Sequence, residues 1–245
     1  MSEMCRAALN LNIPEIGFSE HFDLHPLDPC KDFFKPEAWW QELTRCREEF
    51  DGLLTIKAGI EISEPHRHSQ EVHALLEKYG WDYTLGSLHW VGDDLIFDHE
   101  SFALPENQVY ENYFVELQKM VERGNFDILG HMDMVKRYGY EHFGAFDPQN
   151  YETHIRSILQ TLCSKNIALE VNTGPLRRSI KEPSPSLQIL EWFREEGGEW
   201  ITLGSDAHAV RDVGAGLEKV VEALSEVGFR VLASFSGRKI KPTSL

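Results

Sequence analysis

Short apolar runs rich in strand-forming residues alternate along this chain with stretches whose apolar residues recur every three or four positions, and the runs keep stopping at a histidine or an acid. This rhythm constrains the fold more than any single motif. Short apolar runs make buried strands and the 3.6-residue period makes amphipathic helices. Alternating about seven times, they call for a parallel sheet with right-handed crossovers and helices packed on its outside. Such sheets close into barrels of roughly 250 residues, and the chain has 245.

In order, the pattern predicts a helix over residues 2–11 and a strand over 15–18 that runs into Ser19-Glu20-His21. A helix opened by Pro36 follows, with Trp39, Leu43, Cys46 and Phe50 on one face. The strand over 54–60 delivers Glu61, a helix is marked by Val72, Leu75, Leu76 and Tyr79, and the strand over 83–87 precedes His89. Residues 90–104 read as a loop before a strongly periodic helix over 110–121. Residues 126–130 end in His131, a helix carries Ile155, Ile158, Leu159 and Leu162 inward, and the strand 167–171 ends at Asn172. A helix with Leu187, Leu190 and Phe193 leads to Trp200-Ile201-Thr202-Leu203, which stops at Gly204-Ser205-Asp206-Ala207-His208. Val213, Leu217, Val220 and Leu224 mark another helix, and residues 229–235 a last strand. No repeat, low-complexity tract or long linker divides the chain, so residues 1–245 read as one domain.

With 24 Lys and Arg against 40 Asp and Glu, the net charge of −16 repels nucleic acids. Cys5, Cys30, Cys46 and Cys163 form no C-x-x-C pair, which argues against a disulfide framework or a thiolate zinc site. No apolar run approaches the ~20 residues of a membrane helix and no signal layout opens the chain, so no membrane partner and a cytoplasmic location are expected.

Asp206 and His208 lie two apart, and in extended chain such positions face the same way. They either converge on a metal ion, as an oxygen and a nitrogen ligand, or mark a strand end with a helix-capping Asp. In a barrel the C-terminal strand ends share one face, so His21, Glu61, His89, His131, Asp206 and His208 would meet there. All six are metal-ligand types, and a shared metal site is the reading that explains their recurrence.

Ser19-Glu20-His21, Gly59-Ile60-Glu61, Gly86-Ser87-Leu88-His89, Gly130-His131-Met132-Asp133 and Gly204-Ser205-Asp206-Ala207-His208 resemble, in order, the successive motifs of the PHP (polymerase and histidinol phosphatase) family. Residues 131–139 and 171–178 are most similar to its histidinol-phosphate phosphatases. The resemblance implies a distorted (β/α)7 TIM-like barrel with up to three divalent ions of zinc, manganese or iron. It implies hydrolysis of a small phosphate monoester, foremost L-histidinol phosphate in histidine biosynthesis, with a nucleotide or sugar phosphate as the alternative substrate. Carried over, Glu61 bridges two ions, His89 and His131 complete the second, Asp206 serves the first, and His21 and His208 the third. Glu61, His89, His131 and Asp206 would then act in catalysis through water acidified by the ions.

Arg177, past a strand end, and Arg211, three residues past His208, are expected to clamp the phosphate. Glu20 either faces the substrate amine or orients His21, and His25, in the loop after His21, is a further substrate-contact candidate. Asp133 supports His131 or caps a helix, Lys136, Arg137 and Arg178 read as a solvated face, and His66 and His68 as surface. Family members begin with a strand carrying H-x-H and a further histidine, and this chain begins after them. The expectation is an N-terminally truncated barrel without its first strand and with fewer ions. The alternative is a catalytically impaired PHP-like metal-binding module.

Overall fold

The computed structural model describes residues 1–245. Helix α1 (Ser2–Asn10) leads into strand β1 (Glu15–Phe22), and Pro36 opens α2 (Pro36–Glu49), whose Trp39, Leu43 and Cys46 are buried along one face. Next come β2 (Thr55–Ser63), α3 (Ser69–Lys78) and β3 (Tyr83–Ser87). The segment read as a loop contains a small antiparallel hairpin, β4 (Trp90–Val91) with β5 (Asp94–Leu95), and a 3-10 turn at His99–Phe102. Helix α4 (Glu106–Arg123) precedes the two-residue strand β6 (Ile128–Leu129), and α5 (Val135–Phe143) follows it. That last helix escaped the periodicity because only Val135, Lys136 and Gly139 of it are buried. Then come α6 (Glu152–Lys165), β7 (Ala168–Asn172), α7 (Leu187–Glu195), β8 (Ile201–Gly204), α8 (Leu217–Val227), β9 (Val231–Ser236) and β10 (Lys239–Ser244).

Six strands form one parallel sheet in the order β1-β2-β3-β6-β7-β8, with β1 and β8 as its edges. The sheet is therefore an open, curled half-barrel, not a closed seven-stranded ring. Curling brings its edges together at the top, where the rings of His21, on β1, and His208, just after β8, lie 6.1 Å apart. Outside the sheet the apolar residues form two clusters. The larger gathers α4, α6, α7 and α8, and the smaller, around Trp39, Leu43, Cys46, Ile60 and Trp81, gathers α1, α2 and α3. Burial of these side chains, each stabilising by roughly 1.5–3 kcal/mol for a large aliphatic or aromatic group, holds the helices on the sheet.

The stretch expected to supply a last barrel strand instead forms the antiparallel hairpin β9–β10, which closes the lower end of the curl. Ala233 and Phe235 pack on the inward-facing Leu85, Ile128 and Ala168. Polar ties anchor the hairpin to the N-terminal ends of the strands: Ser234 Oγ donates to Glu15 at 2.7 Å and Arg238 Nε to Asp127 at 2.9 Å. Above this floor the Tyr83 ring lies across Gly17 and Gly59, where a Cβ would come within 2.2 Å of it. The bottom of the curl is thus filled with side chains, and the chemistry is left to the top.

Candidate metal centre

Strand register decides which residues reach the interior. His21 on β1 pairs with Glu61 on β2, and both face into the curl. Glu61 is buried inside β2, two residues before its end. His89 lies two residues past β3 and His131 two past β6, both buried. Asp206 follows β8 with φ +49° and His131 has φ +20°, so two non-glycine residues of the cluster hold backbone conformations that only a constraining environment sustains.

The side chains converge on one carboxylate. Glu61 Oε1 is 2.9 Å from His131 Nε2 and 3.4 Å from His89 Nε2, and Oε2 is 3.8 Å from His21 Nε2. Ligand atoms of His21, Glu61 and His89 lie within 4.8 Å of one another. On the other side Asp206 Oδ1 is 3.4 Å from His208 Nδ1, and its Oδ2 is 3.6 Å from Arg137 Nη1. The charge of Glu61 draws the His21 imidazole up to about 9. Burial would lower His89, but the carboxylates of Asp23 and Glu61 outweigh it and bring it up to about 10. Burial likewise opposes the charge on Glu61, whose pKa the surrounding imidazoles nevertheless hold well below the usual range. Several imidazoles gathering their protons on one buried carboxylate is the arrangement in which a divalent cation replaces protons. The donors are imidazole nitrogen and carboxylate oxygen with no thiolate, a set that suits zinc, manganese or iron.

This cluster forms one wall of a cavity of about 450 Å³. Arg137, Arg177, Arg178 and Arg211 line it, with Phe97, Met134 and Tyr138 as its apolar part. Arg177 Nη2 donates to the carbonyls of Ser205 and Asp206 at 2.8 and 3.1 Å, while its Nη1 is buried without a partner.

Several sequence expectations are corrected by this geometry. Glu20 does not line the cavity, because β1 continues through Phe22 and alternation puts Glu20 beside Ile60, on the helix-facing side. His25 is buried away from the cavity and stacks on Trp90, ring centroids 3.9 Å apart. Arg137 is half-buried in the cavity wall instead of on a solvated face, Arg178 lines the cavity while staying exposed, and Lys136 is buried, paired with Asp133 at 2.9 Å. Asp133 also accepts from Ser184 Oγ and from the Ser186 N–H, so it braces that loop and makes no bond to the His131 ring. The His66 side chain packs against Glu116, 2.9 Å away, and is not a free surface group.

Other residues at the site escaped the sequence reading. Glu170, in the middle of β7, accepts the His131 N–H at 2.9 Å, and Glu64 accepts the N–H groups of His89 and Trp90 at 2.6 and 3.0 Å. Burial pushes both carboxyls up to about 7. Ser63 bridges Asp23 and His89. For Glu170 the available signal was a carboxylate on the interior parity of a strand, upstream of its end; Ser63 and Glu64, at and just past the end of β2, offered none.

Comparison with known proteins fixes the lineage. A sequence model of the PHP domain matches residues 1–174. The chain belongs to the PHP-domain family. The histidinol-phosphatase of Lactococcus lactis is 31% identical over 241 residues, 95% of this chain and 87% of that protein. A probable histidinol-phosphatase of Deinococcus radiodurans is 27% identical, covering 98% of this chain and 92% of its own length. The PHP fold seen here superposes on the crystal structure of the Lactococcus lactis histidinol phosphate phosphatase, complexed with zinc, L-histidinol and phosphate. That match has a TM-score of 0.90 at 27% identity, covering 98% of this chain and 91% of the other.

Proposed function

We propose that this PHP-family chain is a metal-dependent phosphatase, acting on L-histidinol phosphate to give L-histidinol and phosphate. The observation that carries the proposal is the single cavity in which a histidine and carboxylate cluster faces four arginines. A phosphate monoester needs both: cations against the oxygens of the reacting group, and a water made acidic enough to attack. The names of the relatives, with zinc, L-histidinol and phosphate in the Lactococcus structure, support this substrate class.

In this reading Glu61, His89 and His131 hold one divalent ion, Glu61 and Asp206 a neighbouring one, and His21 with His208 a third position. Divalent ions there supply a water that ionises near neutral pH and positive charge on the phosphoryl oxygens. Zinc, manganese and iron all suit the donors, and zinc has the support of the relative. The guanidinium groups of Arg178 and Arg211 take the outer phosphate oxygens in charge-assisted hydrogen bonds, and Arg137 and Arg177 hold the Asp206 segment as well as the anion. Phe97 and Tyr138, ring centroids 4.9 Å apart, offer an aromatic wall for the imidazole of the substrate.

Residues 1–245 act as one domain in this proposal, with a place in histidine biosynthesis. No helix is long and apolar enough to cross a membrane. A comparison of phosphate release from L-histidinol phosphate, ribose 5-phosphate and adenosine monophosphate by the zinc-loaded chain tests the assignment. Preference for the sugar phosphate or the nucleotide would reassign the substrate within the same chemistry.

A further inference from the structure

Behind the metal centre, on the side away from the cavity, Asp23 and Ser63 are buried, the first just past β1 and the second closing β2. Neither lines the cavity. An ionised carboxylate only accepts hydrogen bonds, and a serine hydroxyl has one proton to give. Ser63 Oγ donates that proton to Asp23 Oδ1. The same Oγ is 2.9 Å from His89 Nδ1. With its proton committed to Asp23, the hydroxyl can meet the ring only as an acceptor. His89 Nδ1 therefore carries a hydrogen, and in the neutral ring the lone pair lies on Nε2, the atom 3.4 Å from Glu61 Oε1.

Asp23 Oδ1 stands 3.8 Å from His89 Nδ1, beyond direct hydrogen-bond range, which is why a hydroxyl is needed between them. Its other oxygen, Oδ2, is 3.7 Å from His21 Nδ1, and His21 Nε2 is 3.8 Å from Glu61 Oε2. Two carboxylates thus bracket two imidazoles, Asp23 on the Nδ1 side and Glu61 on the Nε2 side.

We infer that Asp23 and Ser63 are positioning residues that fix the ring orientation and tautomer of His89, so that this ring presents an unprotonated Nε2 to the metal. This rests on the metal-binding reading of the site. A hydrogen-bonded partner on the far nitrogen of a ligand histidine ordinarily contributes ten- to a hundredfold in metal affinity.

The test is zinc affinity by chelator competition for the wild-type chain, Ser63→Ala, Asp23→Asn and the double variant, with circular dichroism to verify each fold. Each single variant is expected to bind zinc about ten- to a hundredfold more weakly, and the double variant no more weakly than Asp23→Asn, because the two residues act as one relay. Nitrogen NMR of the zinc-loaded wild type is expected to find His89 protonated on Nδ1 and bound through Nε2. Affinities within about twofold of wild type, or a proton on Nε2 of His89 in the zinc-loaded protein, would overturn the inference. Should a variant not fold, the NMR assignment in the wild type decides. A folded wild type that binds no zinc would instead overturn the metal-site reading on which this inference rests.

Discussion

Glu170 and His131 are joined through the main chain: Glu170 Oε2 accepts the His131 N–H at 2.9 Å. The bond fixes a residue with φ +20°, and it is this residue whose Nε2 lies 2.9 Å from Glu61. Strain of this kind persists only where neighbours over-determine it.

Gly204 makes room for that carboxylate, since a Cβ there would sit 2.1 Å from Glu170 Oε1. Gly204→Ala should therefore displace Glu170, cost about 1–3 kcal/mol through overpacking and loosen His131. Urea unfolding and zinc titration check both effects together. A variant with wild-type stability and wild-type zinc affinity would contradict this role of Glu170.

The arginines are expected to separate into two behaviours. Arg177 donates to the carbonyls of Ser205 and Asp206, whereas Arg211 follows His208 with no such tie among its hydrogen bonds. Arg177→Ala should lower kcat and raise KM, because it frees the Asp206 segment as well as the phosphate. Arg211→Ala should mainly raise KM, by about tenfold or more for one lost charge-assisted bond. Steady-state kinetics on both variants decides; equal patterns would mean that Arg177 only binds.

The top of the sheet was legible in the sequence because each apolar run stops where its strand delivers a side chain. His21, Glu61, His89, His131, Asp206 and His208 could be found that way. Glu20 could not be placed, because the apolar run stops at Phe18 while the strand continues to Phe22, and only the pairing with β2 shows which parity faces inward. Glu170 was read as one residue of a buried strand, since its task is set by the His131 backbone thirty-nine positions earlier. The β9–β10 hairpin was half visible: Phe229 to Phe235 looks like a strand, but its antiparallel partner is polar and exposed, with little apolar pattern to find. His25 is beside Trp90 only because the loop folds back, which no local pattern encodes.

Far from the metal centre, Glu116 sets an acid limit on stability. Burial opposes its charge, but hydrogen bonds from His66, Lys119 and Arg67 prevail and lower its pKa from 4.5 to about 2. The pairing therefore stabilises the fold above pH 4.5 and is lost as pH falls through about 2. With allowance for solvent screening it contributes on the order of 1–2 kcal/mol at neutral pH. Glu116→Gln should melt lower than wild type at pH 6, and the gap should narrow at pH 3. A gap that does not change with pH would contradict the assignment.

His131→Ala removes one of the nitrogens nearest to Glu61. Phosphate release should fall by about a thousandfold or more, as expected when several kcal/mol of charge stabilisation are lost at tenfold per 1.36 kcal/mol. Because the His131 ring is buried and its Nε2 faces the Glu61 carboxylate at 2.9 Å, truncation also leaves a cavity beside an under-partnered carboxylate, so the metal-free chain should melt lower and turnover is compared on variant protein whose fold circular dichroism verifies. Retained turnover with bound metal would sink the assignment of His131.

The most direct measurement is phosphate release from L-histidinol phosphate by the purified 245-residue chain, loaded with zinc or manganese at neutral pH, before and after chelation. The account predicts release that chelation abolishes and added metal restores. Release that persists unchanged under chelation, or no release from a folded, metal-loaded chain, would contradict it.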